Sequence, residues 1–209
     1  MKWYERLLVA LIALSALAMW LPWVWHRAAA LVLTGLDLHE FIRFMGEVRT
    51  GQVRASALPL CAPLLVQALT LAGIAGCSHW TVYGKGTALA LAAWLVAVIY
   101  PPLEQPKVLA TIWLLLLAAF VAMVFIHPAA CFRVALLAIA GLAASVPPLV
   151  QFLVLLPALD RLYGRPVTVG VGFYLEAAAG LGCLVVGLAA GAVCRPGRHF
   201  SAAAAIRQG

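Results

Sequence analysis

Polar and apolar positions follow two different patterns along this chain. Over residues 36–49 they keep a helical period. Leu38, Phe41, Ile42 and Met45 fall at i, i+3, i+4 and i+7 on one stripe, and His39, Glu40, Arg43 and Glu47 fall on the other side. Asp37 with Glu40 three residues on reads as a capping-box start, and Arg43 can reach Glu47 at i+4. The pattern predicts an amphipathic helix over 37–48 that lies at a membrane surface, with Leu38, Phe41, Ile42 and Met45 as its interfacial docking face. On both sides of it the pattern changes to long apolar runs with almost no charge.

About 20 predominantly apolar residues cross the hydrocarbon of a bilayer. By that measure the runs predict six spans, at 7–25, 57–77, 87–100, 108–126, 132–158 and 169–193. The first ends in Trp20, Trp23 and Trp25, an aromatic belt at the far interface. A cleaved signal peptide is the competing reading of that start, because Lys2, the apolar run and Ala28-Ala29-Ala30 imitate one. The second span carries Pro59 and Pro63 in its first two turns, where proline costs least. Pro101-Pro102 is read as the stop of the third, and His127-Pro128 as the break after the fourth. Pro147-Pro148 falls inside the fifth, and residues 160–166 read as the turn to the sixth. The expected fold is therefore all-α: a polytopic membrane bundle of six transmembrane helices, with one amphipathic helix in the first loop. It forms a single transmembrane domain over 1–194, followed by a polar tail over 195–209. Loop lengths and proline positions do not correspond between the halves, so no internal repeat is read.

Composition points the same way. Hydrophobic residues make up 66% of the chain, charged residues only 10%, and the mean hydropathy is +1.05. Water-soluble domains carry about 25% charged residues. The formal net charge is +7. Its basic residues sit singly between apolar runs, without the stripe that a phosphate backbone requires, so nucleic acid is not an expected partner. The lipid bilayer and other membrane subunits are. Six spans put both termini on one side. Seven basic residues then fall on each side, so their count does not orient the chain. Lys2 and Arg6 before the first span favour cytoplasmic termini, in a plasma-membrane protein.

Candidate chemistry is sparse. Glu176 lies about two turns into the sixth span, where a charge is expensive and usually functional. Gly180, Cys183, Gly187 and Gly191 follow it on one stripe of small residues, so this face is expected to pack on another helix, the fifth or the second span. Gln151 falls at a similar depth on the fifth span. Pro147-Pro148, a turn earlier, leaves the carbonyls near Ala143 and Ala144 without helical donors. Glu176, Gln151, Ser145 and Pro147 form the candidate polar intramembrane site, with Gln67 on the second span as a lesser member. The plain alternative is that Glu176 and Gln151 are interhelical glue.

No cofactor or metal site is expected. The histidines at 26, 79 and 127 lie at span ends, whereas axial haem ligands would sit inside facing helices. The five cysteines have no CxxC spacing, and no nucleotide, hydrolase or metalloprotease motif is present. No catalytic set can be assembled. The sequence leads first to a non-catalytic helical subunit of a larger membrane complex. A small solute transporter or channel with its site around Glu176 and Gln151 comes second. A lipid-modifying enzyme, built around Asp37, His39 and Glu40, is a distant third.

Overall fold

The computed structural model describes residues 3–26, 31–76, 81–103, 106–125 and 130–193. These residues are mostly helical. The element order is α1 (Trp3–Ala18), β1 (Pro22–His26), β2 (Leu31–Thr34), α2 (Gly35–Phe41), α3 (Gly46–Arg49), α4 (Ala57–Leu60), α5 (Ala62–Ala75), α6 (Val82–Leu103), α7 (Pro106–Phe125), α8 (Ala130–Tyr163), β3 (Thr168–Val169) and α9 (Val171–Val193). Helices α1, α8 and α9 pack on one another. Helix α5 joins them through α8 and α1, and carries α6 and α7 on its other side.

Two helices among the described residues, α8 and α9, are long and apolar enough to cross a membrane. The sequence predicts six. Helix α1 has 16 residues and α5 has 14, short of the length needed. The reason for the first shortfall is local. The apolar run continues past Ala18, but the helix does not, because Pro22 has no N–H to extend it. The indole N–H of Trp23 instead donates to the Ala18 carbonyl at 2.9 Å, which occupies one of the helix's terminal acceptors. Pro-Trp-Val-Trp-His then extends as β1, in keeping with the liking of aromatic and β-branched residues for a half-buried strand. Strand β1 pairs antiparallel with β2 on one edge and β3 on the other, in the order β2-β1-β3. Trp23 and Trp25 of the expected aromatic belt are thus part of a small sheet, while Trp20 lies before it and stacks on Trp94 of α6. Trp23 is fully buried, with Phe152 and Phe173 edge-on to it at 5.5 and 6.0 Å between ring centroids.

The amphipathic stretch also differs in detail. It folds as two short helices, separated at residues 42–45 by a turn with i→i+3 bonds from Arg43 to Glu40 and from Phe44 to Phe41. The cap is Thr34, not Asp37. The Thr34 hydroxyl accepts from the Asp37 N–H at 3.1 Å, and the Asp37 carboxylate accepts from the Thr34 N–H at 2.9 Å. Asp37 therefore takes the N3 role of the box. Glu47 pairs with Arg161 rather than Arg43. Arg161 donates from Nε and an η nitrogen to the two carboxylate oxygens, at 3.0 and 3.2 Å. That bond holds α3 against the end of α8.

Elsewhere the helices outrun their predicted ends. Helix α6 starts at Val82 and runs through Pro101-Pro102 to Leu103. Helix α8 has 34 residues and takes in Pro147, Pro148 and Pro157, as well as Asp160 and Arg161. The chain turns only at Gly164, whose φ of +67° suits a residue without a side chain. The Asp160 carboxylate closes that turn by accepting from the Val167 N–H at 2.8 Å. His79, the His127-Pro128 break and the polar tail over 195–209 lie outside the described residues.

Candidate functional site: a polar seam between three helices

Helix α1 presents Glu5, Leu8, Ile12 and Ser15 as one buried stripe, at spacings of three and four, and Met19 just past its end continues it. A carboxylate and a hydroxyl are thus built into an otherwise apolar face. The Ser15 hydroxyl donates to Oε1 of Glu176 at 2.6 Å, and both residues are buried. Ser145 on α8 is buried beside Glu176. Three helices therefore bring one carboxyl group and two hydroxyls together.

The α8–α9 packing explains how they meet. A side-chain carbon added at Gly180 would lie 2.7 Å from the Ser145 Cβ, and one at Gly187 would lie 2.5 Å from the Ala138 Cβ. Cys183 fills the space over Gly141. Phe173 meets Phe152 at 5.1 Å. The register is constant from Gly187 to Phe173, and it sets Glu176 opposite the stretch 145–152 that holds the proline pair. Gly180, Cys183 and Gly187 all face α8. Gly191 does not: it is exposed, with nothing near it among the described residues.

Gln151 sits in the same stretch of α8 but makes no hydrogen bond with Glu176. Its amide nitrogen is buried without a partner, as are Oε1 of Gln67, Oγ of Ser145 and Oε2 of Glu176. Pro148 is buried and Pro147 half-buried. Sequence reasoning missed two participants. Ser15 is one; only its place on the Glu5–Leu8–Ile12 stripe could have flagged it. Glu5 is the other. It is almost fully buried and forms an ion pair with Arg133 of α8 at 2.9 Å. That pair lies ten residues from Ser15 along α1, about 15 Å at 1.5 Å per residue.

No family model matches this chain, and no curated protein or solved structure matches it. The seam is therefore read from its own geometry.

The docking face is spent internally. Leu38, Ile42 and Met45 are buried in the main core with Leu60 and Leu64, while Phe41 is half-buried against it. Phe41 and Phe44 border an open groove with Val32, Leu33, Asp37 and Glu40. His39, assigned to the polar side from the sequence, is buried, and neither ring nitrogen has a hydrogen-bond partner. Burial lowers its pKa from the usual 6.5, against the pull of Glu40, the nearby Leu36 carbonyl and Asp37. Among the described residues no three His, Cys, Asp or Glu side chains gather into a metal cluster.

Proposed function

We propose that this chain is an integral membrane protein that serves as a non-catalytic helical subunit of a larger membrane complex. Its embedding is supported by what α8 and α9 leave uncovered. The core helix of a soluble protein passes the same test of length and apolarity by being mostly buried. Here only 39% of the apolar window of α8 and 28% of that of α9 are buried. Leu153, Ile139, Leu181 and Leu188 all lie more than half exposed on these helices, an apolar surface suited to lipid or to partner helices. In this reading the six-span threading holds, with α1 and α5 as shortened members. Both termini are cytoplasmic in the plasma membrane, and the small sheet with α2 and α3 caps the outer face.

The observation that carries the subunit reading is the close packing around Glu176. Its carboxyl group ties α9 to α1 across glycines that hold Ser145 in contact with α9, which is the geometry of interhelical glue. The test is affinity purification in a mild detergent with quantitative mass spectrometry. One membrane partner at fixed stoichiometry is expected, retained in Glu176→Gln because the amide keeps the hydrogen-bonding shape.

A transporter or channel is the second reading, favoured by the buried Oε2 of Glu176 and amide nitrogen of Gln151 that have no protein partner. Solute flux into vesicles holding the purified chain alone, lost in Glu176→Gln, would replace the first reading with this one.

A further inference from the structure

The seam offers more acceptor oxygen than the protein itself uses. Glu176 is fully enclosed; Oε1 takes the Ser15 hydroxyl, and Oε2 takes nothing among the described residues. The Ser145 Oγ beside it is equally buried and closes no hydrogen bond of good geometry, while lying near enough to share a ligand with Glu176. Among the described ionisable groups of the packed helices, Cys183 lies on the same stripe of α9 as Glu176, and Arg133 on α8 is engaged by Glu5 some 15 Å along α1 from Ser15. A further oxygen is offered by the backbone. Pro148 has no N–H, so the Ala144 carbonyl loses its helical donor, and it opens along α8 toward Pro148, next to Leu149, which the α8–α9 register sets opposite Glu176.

We infer that Glu176, Ser15, Ser145 and the Ala144 carbonyl form a binding site for one sodium ion. The donor set consists only of hard oxygens, which suits an alkali or alkaline-earth cation and not a soft metal. With Glu176 ionised it carries one negative charge, which one monovalent ion neutralises. A carbonyl freed of its helical donor by a proline is suited to the same role. Burial disfavours a lone charge at this depth, and a bound cation is one way in which the ionised carboxylate would be compensated. The inference deepens the site of the second functional reading, but it does not require that the ion move.

The test uses the full chain in detergent. Its melting temperature is followed as NaCl replaces N-methylglucamine chloride at constant ionic strength, with KCl in parallel and at two pH values. Sodium should raise the melting temperature saturably and potassium should raise it less. Glu176→Gln should abolish the sodium response, and Ser145→Ala should shift it to higher concentration. Should Glu176→Gln not fold, binding of radioactive sodium to wild type and to Ser145→Ala gives the same comparison. A melting temperature indifferent to sodium, a response unchanged in either variant, or a response to protons alone overturns the site. Binding without flux leaves it standing and removes only the transport reading; flux without a sodium response does the opposite.

Discussion

At the scale of single residues, the buried polar groups decide most. His39 is enclosed with both nitrogens unpaired, so the fold favours the neutral ring. Its folded pKa lies below the 6.5 of the unfolded chain. As pH falls through 6.5 the unfolded state takes up the proton first, and stability falls with it; above that pH the penalty is absent. His39→Leu should flatten this dependence, which thermal unfolding between pH 5 and 8 measures. The same change should stabilise the protein by about 1 kcal/mol near pH 6, since it removes an unsatisfied buried group. An unchanged pH profile would place the titrating group elsewhere. The Glu5–Arg133 pair shows why such residues are hard to read from sequence. Both lie near the ends of apolar runs, where a charge looks like an interface anchor. Their pairing depends on α1 and α8 being neighbours, which no local pattern states.

At the scale of elements, the α8–α9 seam makes a sharp contrast between glycines of one stripe. Gly180→Leu should separate the helices at Ser145 and cost at least the 1–3 kcal/mol typical of about one or two inserted methylenes. Gly191→Leu should leave the melting temperature unchanged, because that position is open. Similar losses in both variants would mean that the stripe packs along its whole length. Period and apolarity made α9 legible to within two residues of its start, and α7 likewise. The first helix was misread because an apolar run does not distinguish helix from strand. The signal was present in Pro22 followed by Trp-Val-Trp. The amphipathic stripe gave Leu38, Ile42 and Met45 the right company but not the break between them. That break depends on two i→i+3 bonds that close a turn before α3 begins at Gly46. Glu176 was legible as an anomaly in the sequence, whereas Ser15, its partner 161 positions away, was not.

At the scale of the whole molecule, the proposed threading places the α7–α8 connection inside the cell and the sheet outside. Cys131 is exposed at the start of α8, on the cytoplasmic side of this arrangement. A membrane-impermeant thiol reagent should therefore label it in inverted vesicles and not in intact cells. Labelling from outside the cell would turn the molecule over without altering any packing described above.

In the proposed embedding, the two clasped arginines of α8 also measure the membrane. Arg133 and Arg161 are 28 positions apart on one continuous helix, and each is held by a carboxylate from a different element. At 1.5 Å per residue that is about 42 Å, the span of a bilayer from headgroup to headgroup rather than of its hydrocarbon alone. With one guanidinium at each polar layer, α8 stands close to the bilayer normal. Strong tilt would draw one arginine and its carboxylate into the hydrocarbon. Pro147, 14 residues from each arginine, then falls at the midplane, and Glu176 is held near the depth at which a bilayer is least able to hydrate it.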